Sequence, residues 1–164
     1  MRAQVLLVGG LILLLGACSP KVSHAPPPIN KQLLTGKWKS SSEAEFISGY
    51  EFAEDGTLKM TVKGMEQPVR GGYTWSGERT LEMKFKTEAD ARKGFQAAAK
   101  AYKEGVKARM KSGELRGKEG PNLLATIPDE LPPEETFQAS FSEQPRLLFL
   151  VRAGGGSQTF EPAK

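Results

Sequence analysis

Apolar and polar side chains alternate with a period of two from Leu34 onward, which is the pattern of β-strands with one buried face. The pattern predicts a mainly β domain over residues 34–164. Six runs each define a predicted inner face: Phe46, Tyr50 and Phe52; Leu58, Met60 and Val62; Val69, Gly71, Tyr73 and Trp75; Leu81, Met83 and Phe85; Phe137, Ala139 and Phe141; and Leu147, Phe149 and Val151.

Short turns between the early runs predict how the strands pair. Glu54-Asp55-Gly56 has the composition of a three-residue hairpin loop with Gly56 in the left-handed region. Opposed residues in antiparallel strands point to the same face, so the turns predict these pairs: Tyr50 with Met60, Phe52 with Leu58, Val62 with Val69, Tyr73 with Met83, and Trp75 with Leu81. We therefore expect an antiparallel meander that closes into a small barrel or remains a curved sheet.

One amphipathic helix interrupts the strands at about residues 88–111. Thr87 is the predicted N-cap, and an apolar stripe recurs at helical spacing: Ala91, Phe95, Ala98, Tyr102, Val106 and Met110. We expect this inserted helix to lie across an opening or an edge of the sheet. Residues 112–135 are rich in Gly, Pro and acidic residues, which predicts a long loop with a short strand at Leu123–Ile127.

The N-terminal residues 1–17 have the organisation of a signal peptide. Arg2 precedes the apolar run Val5–Leu15, which is too short to span a bilayer. The run ends in Leu15-Gly16-Ala17-Cys18, which resembles the lipobox of bacterial lipoproteins. That resemblance implies that Cys18 is lipidated, that it becomes the mature N-terminus, and that the chain is exported and anchored to the cell envelope. Because Ser19 rather than Asp follows the cysteine, the resemblance extends to lipoproteins of the outer membrane that face the periplasm.

A tether is predicted between the lipidated cysteine and the domain, over residues 18–33. Its first part, residues 19–30, holds four prolines and few apolar residues, which favours an extended polyproline-like conformation. Twelve such residues at about 3.1 Å each reach about 40 Å. The predicted domains are thus a signal peptide over 1–17, a lipidated tether over 18–33 and a β domain over 34–164.

The inventory of chemically active residues argues against an enzyme. The whole chain has one Cys and one His, which excludes a Cys/His metal cage and a Ser-His-Asp triad within one chain. No phosphate-binding loop or nucleophile elbow is present. We therefore expect no catalytic residues, no metal and no cofactor. Carboxylate-only glycosidase chemistry is the one catalytic alternative that the inventory leaves open.

Several segments of the β domain resemble a known family. The opening Leu34-Thr35-Gly36-Lys37-Trp38 and the later Gly72-Tyr73-Thr74-Trp75 are similar to the small lipocalin-like domains of uncharacterised bacterial lipoproteins. The resemblance covers residues 34–86 well and 136–161 loosely. It implies that an arginine packs over Trp38 at the closed end of a barrel, with Arg152 as the nearest candidate and Arg146 as the second. The mid-chain helix and the missing Thr-Asp-Tyr motif depart from the lipocalin pattern.

The same resemblance implies that the barrel binds a small apolar ligand. The candidate lining residues are the inner-face side chains Tyr50, Phe52, Met60, Tyr73, Trp75, Met83 and Phe85. A small barrel is just wide enough to be filled by its own side chains or to hold one ligand. The strand residues are fewer here than in a full lipocalin, so the sequence favours a filled core over a cavity at these positions.

The inserted helix offers an alternative function. Residues 88–118 hold nine Lys or Arg and four Asp or Glu, a net charge of +5, in a chain of net charge +4. The candidate binding residues are Lys93, Lys100, Lys103, Lys107 and Lys111. Such a face could dock on an acidic envelope surface or partner, although charge runs usually form solvated helix faces. No interleaving of basic and aromatic residues indicates nucleic-acid binding.

Overall fold

The structure is a computed structural model that describes residues 31–144, 146–153 and 155–164. The predicted signal peptide, Cys18 and residues 19–30 of the predicted tether lie outside the described residues. None of the helices in the described ranges is long and apolar enough to cross a membrane.

The described residues form a closed antiparallel barrel of eight strands with two helices inserted between the fifth and sixth strands. A short helix α1 (Lys31–Leu34) precedes the barrel. The strands are β1 (Gly36–Ser40), β2 (Ile47–Phe52), β3 (Thr57–Val62), β4 (Val69–Ser76), β5 (Thr80–Phe85), β6 (Glu134–Glu143), β7 (Arg146–Arg152) and β8 (Ser157–Pro162). Each strand pairs with the next and β8 pairs with β1, so the predicted meander closes completely.

The predicted hairpin registers are confirmed for two of the three early turns. Tyr50 lies opposite Met60 and Phe52 opposite Leu58, and the β4–β5 hairpin has both predicted pairs. Gly56 has φ +87°, and the Ala53 N–H donates to the Thr57 carbonyl (2.9 Å) across the loop. The turn composition and the side-chain parity were sufficient to fix these registers.

The predicted pairing of Val62 with Val69 is wrong by two residues. Val69 lies opposite Met60, and Val62 instead pairs with Ile47 of β2. The connection from Lys63 to Pro68 is therefore longer than a tight turn. Pro68 has no N–H to donate to a ladder, which explains why β4 begins only after it. The predicted register differs from the observed one by two residues. Because side chains alternate between the two faces of a strand, a shift of two leaves the same side chains facing the barrel interior.

The predicted inner face of β7 is also wrong. Leu148 and Leu150 are fully buried, whereas Val151 is 43% exposed and Leu147 and Phe149 are half-buried. Five consecutive apolar residues carry no alternation, so the sequence run could not select a face. The pairing with β6 selects it, because Leu148 opposes Phe141 and Leu150 opposes Ala139. Arg152 consequently falls on the inner face.

The inserted helix α2 (Ala89–Lys111) confirms the prediction in its position and its apolar stripe. Phe95, Ala98 and Val106 are buried, and Tyr102 packs partly buried against the core. Thr87 is not the N-cap. Glu88 occupies that position without a capping side-chain hydrogen bond, and the Thr87 hydroxyl instead accepts from Arg92 Nη2 at 3.0 Å.

The predicted strand at Leu123–Ile127 is a helix, α3 (Glu119–Thr126). A short apolar run fits either a strand or a helix, so the sequence pattern alone could not decide between them. Pro121 is tolerated in the first turn of α3 because the N–H groups of that turn have no acceptor within the helix. Gly120 is buried against Met110 of α2, where a Cβ atom would lie 2.5 Å from the methionine sulfur. A side chain at this position would therefore require the Met110 side chain to move.

The two helices cover one end of the barrel, which we call the helix-covered end. The Phe46 ring packs against Phe95 and Tyr102, with centroid distances of 5.4 and 5.5 Å. The Tyr102 hydroxyl donates to the Ala44 carbonyl at 2.8 Å. The prediction that the helix lies across an opening of the sheet is confirmed.

The opposite end, where the chain enters the barrel, is closed around Trp38. Its indole N–H donates to the Leu34 carbonyl at 2.7 Å, and the Phe141 ring lies 5.7 Å away. Arg146 Cζ lies 5.2 Å from the centre of the indole ring, and Arg146 Nη2 donates to the Leu33 carbonyl at 2.8 Å. The arginine over Trp38 is therefore the second candidate. Arg152 lies about 20 Å farther along β7, at the helix-covered end.

Candidate functional site

Three polar residues occupy inner-face positions of the barrel at its helix-covered end. Glu135 shares its face of β6 with the buried Phe137. Arg152 continues the inner face of β7, and Gln158 precedes the buried Phe160 on that of β8. Charged residues are rarely buried without a partner, so polar side chains at these positions need an explanation.

These side chains and two neighbours form two polar pairs near Tyr50. Arg152 Nη2 forms an ion pair with Glu135 Oε1 at 2.7 Å, and the two side chains are 30% and 9% exposed. Gln158 Nε2 donates to Glu45 Oε2 at 2.8 Å. Tyr50, inside the barrel, is the fifth member, because the charges of Glu135, Arg152 and Glu45 all act on its hydroxyl. We call these five residues the polar cluster.

Burial dominates the electrostatics of the polar cluster. Desolvation raises the pKa of Glu135, and the nearby charge of Arg152 opposes that rise. Desolvation, reinforced by the charge of Glu135, raises the pKa of the Tyr50 hydroxyl well above its usual value. Tyr50 therefore stays protonated at neutral pH and can donate a hydrogen bond.

Four buried polar atoms of the cluster have no hydrogen-bond partner among the described residues. They are the Tyr50 hydroxyl, Glu135 Oε2, Arg152 Nε and Gln158 Oε1. Leaving such an atom buried and unpaired costs about 1–3 kcal/mol, and more for charged groups. Unpaired atoms of this kind are uncommon in folded proteins, so the four atoms mark this end of the barrel as a candidate site.

A cavity of about 420 Å³ opens beside the polar cluster, between α3 and strands β6–β8. Ala125 and Thr126 of α3 form one side, and Phe137 and Leu150 form the apolar wall. Arg152 and Gln158 of the cluster also line it. We call this space the α3 cavity. Its volume and its mixture of apolar wall and few polar groups are typical of small-molecule sites.

A larger groove of about 770 Å³ lies between α2 and the β3–β4 loop. Its lining includes Met65, Ala91 and Ala98. None of the unpartnered buried side-chain atoms found in the described residues belongs to this groove. The α3 cavity is therefore the better candidate.

The seven side chains predicted to line an apolar ligand site lie in the barrel core. Six are at most 6% exposed, and Trp75 is half-buried. Their rings contact one another, with Phe52 5.7 Å from Tyr50 and 5.1 Å from Tyr73. None of the seven lines the four cavities identified in the described residues. A ligand site among them stays a prediction.

Four of the five predicted basic residues of α2 share one exposed face of the helix, and the fifth is ion-paired. Lys93, Lys100, Lys107 and Lys111 are exposed and recur at intervals of seven, seven and four residues, which places them on one helix face. Lys103 is half-buried and forms an ion pair with Asp129 at 2.6 Å. Lys107 forms a 2.8 Å ion pair with Glu104 on the same helix.

The sequence pattern does not predict Glu135, Arg152 and Gln158 as site residues. Glu135 falls in the predicted loop over residues 112–135, although the strand β6 begins at Glu134. The spacing between β6 and β7 carried a signal that would have placed Arg152. Two residues connect Glu143 to Arg146, and this short connection sets Phe137 opposite Arg152. Because opposed residues share a face, Arg152 then points to the barrel interior with Phe137. No group of three or more His, Cys, Asp or Glu that could hold a metal ion occurs within the described ranges.

Comparison with known protein families, curated proteins and solved structures finds no match to this chain.

Proposed function

We propose that this chain is a non-catalytic bacterial envelope lipoprotein whose lipocalin-like barrel binds a small, mainly apolar ligand in the α3 cavity. In this proposal Cys18 carries the lipid anchor, and the protein is exported to the periplasmic face of the outer membrane. The observation that carries the ligand-binding role is the cavity itself, because its apolar wall adjoins Arg152 and Gln158, each of which has a buried polar atom without a hydrogen-bond partner among the described residues.

The position of the cavity supports this role. The α3 cavity lies at the helix-covered end. The closed barrel forms one side of it, and the eight-residue helix α3 forms the other. A short helix with only one fully buried residue, Gly120, can move more readily than a barrel strand. Displacement of α3 would give a ligand a route into the cavity without opening the sheet.

Calorimetry with a small amphiphile tests the proposal. Octan-1-ol is titrated into the full chain, purified in a nonionic detergent, and into two variants. Ala125→Trp places a large side chain from α3 into the cavity, whereas Ala108→Trp makes the same change on an exposed part of α2 away from the cavities described here. We expect saturable heat that Ala125→Trp abolishes and Ala108→Trp retains. Detergent uptake is common to all three proteins, so identical heats in all three would refute the proposal.

A second proposal concerns the exposed face of α2. Lys93, Lys100, Lys107 and Lys111 present four ammonium groups on one face, partly offset by Glu104. The positive charge of this face supports docking on an acidic envelope surface. The electrostatic attraction between the two surfaces would weaken as the salt concentration rises.

Vesicle sedimentation tests this docking. Lys93→Glu, Lys100→Glu and Lys111→Glu together should abolish salt-sensitive binding to anionic phospholipid vesicles. The matched control reverses the exposed Lys37, Lys84 and Lys164, which carry the same charge change elsewhere on the surface. Equal loss in the two triple variants would show that only net charge matters, and the docking face would be rejected.

A further inference from the structure

We infer that the outer surface of strands β6–β8 is a contact surface for a second copy of this chain. The surface consists of outward-facing residues of these three strands, and we call it the uncharged face. Its members are Gln138, Ser140, Ser142, Leu147, Phe149, Val151, Ser157 and Thr159. None of the eight carries a charge, and three of them are large and apolar. The inference does not depend on the ligand of the α3 cavity.

The middle strand of the uncharged face presents a row of apolar side chains to the outside. Leu147, Phe149 and Val151 alternate with Leu148 and Leu150, which are fully buried inside the barrel. Val151 is 43% exposed, and the other two outward side chains are half-buried. Outward positions of an antiparallel sheet that faces water are normally polar. An apolar row on the outside of β7 therefore indicates a second contact surface of this strand, in addition to the core.

The residues on either side of this row are short and polar. Phe149, in the middle of the row, lies opposite Ser140 of β6 and Thr159 of β8. Hydroxyl groups both donate and accept hydrogen bonds. With a two-fold axis passing beside Phe149, the apolar row of one copy meets the apolar row of the other, and polar flanks meet polar flanks. The uncharged face is therefore complementary to itself, as a two-fold interface requires.

The distribution of charge favours a second copy at this face. Lys59 of β3, Arg70 of β4 and Lys84 of β5 lie at exposed, outward positions on another part of the barrel wall. Every copy has the same net charge of +4, so two copies repel each other at long range. Contact through the uncharged face keeps like charges apart, and depletion of charged residues with an aromatic residue near the centre is typical of interface cores.

The closed barrel restricts how two copies can associate. Because β8 pairs with β1, no strand of the described barrel has a free edge to which a second copy could add a strand. Association therefore has to use a face. Three strands about 4.8 Å apart and about five residues long give the uncharged face an outline of about 15 Å by 17 Å. This area is below the roughly 800 Å² per partner of a standard interface, so we expect a weak dimer.

Sedimentation equilibrium of the full chain in a density-matched nonionic detergent tests the inference. We expect the protein mass to rise from monomer to dimer as the concentration increases. Phe149→Ser should raise the dissociation constant of the dimer about tenfold or more, because it removes the central apolar contact from both copies. Ser140→Lys should abolish the dimer, since it brings two ammonium groups into the interface. The matched control Thr74→Lys adds the same charge at an exposed outward position of β4 and should leave the dissociation constant unchanged.

Each other outcome overturns the inference. A monomer at every concentration overturns it, and this is the result expected if detergent or residues 1–30 occupy the face instead. Equal weakening by Ser140→Lys and Thr74→Lys would show that net charge decides, and a dimer that neither Phe149→Ser nor Ser140→Lys changes would place the interface elsewhere. Circular dichroism checks that each variant is folded. If Phe149→Ser unfolds, Val151→Ser takes its place, because that side chain is already 43% exposed, and it should weaken the dimer severalfold.

Discussion

Two adjacent glycines of β4, Gly71 and Gly72, provide a steric test of the barrel. A Cβ atom at Gly71 would lie 2.3 Å from the Lys84 carbonyl oxygen and 3.2 Å from Phe85 Cα, both in the backbone of β5. A Cβ atom at Gly72 meets only the Gly56 carbonyl oxygen at 3.5 Å, an ordinary contact. Neither glycine has a positive φ, so alanine is compatible with both backbone conformations.

The same Gly→Ala change should therefore have opposite effects at the two positions. Gly71→Ala forces β5 away from β4 and should lower the free energy of unfolding by about 1–3 kcal/mol or more. Gly72→Ala costs no space and reduces the entropy of the unfolded chain, so it should raise that free energy by about 0.4–1 kcal/mol. Urea unfolding followed by tryptophan fluorescence measures both, provided that the m-values agree.

The comparison contains its own control, because the two variants differ by one position in one strand. If both alanines change the unfolding free energy by the same amount, the close approach of Gly71 to Lys84 is wrong. The register that pairs Gly71 with Phe85 would then be wrong as well.

Three further predictions concern the predicted lipid anchor, the barrel end beside Trp38 and the polar cluster. Cys18→Ala should move the protein from the membrane fraction to the soluble fraction in cell fractionation, and retention in the membrane would contradict the lipid anchor. Arg146→Ala should destabilise the barrel by about 1–2 kcal/mol in urea unfolding, since it removes the contact with Trp38 and the hydrogen bond to Leu33; an effect no larger than that of Arg146→Lys would refute this. Burial raises the folded-state pKa of Glu135, so its contribution to stability is complete below the unfolded pKa and is lost as pH rises through the folded pKa. Glu135→Gln should flatten the pH dependence of stability over that interval, and an unchanged slope would show that Glu135 does not titrate in this way.

Much of the fold was predictable because local and long-range signals agreed. In the β2–β3 and β4–β5 hairpins, the turn residues and the inner-face parity select one register, and both were confirmed. The apolar stripe of α2 likewise identifies the helix face that is buried in the structure. The β3–β4 register failed because the loop before Pro68 is long enough to accept more than one pairing.

The candidate site was less predictable for a physical reason. The run Leu147–Val151 is apolar at every position, so both faces of β7 fit a buried strand until β6 is considered. Choosing the wrong face turned Arg152 outward and separated it from Glu135. The cavity also depends on α3, whose short apolar run resembles a strand and whose contact with α2 is a tertiary effect at Gly120.

The polarity of the barrel has a consequence for how an anchored protein would exchange its cargo. The chain enters beside Trp38 and Arg146, whereas the α3 cavity lies at the other extremity of the strands. In an anchored protein, ligand exchange at the helix-covered end would therefore leave the opposite extremity, beside Trp38 and Arg146, closed.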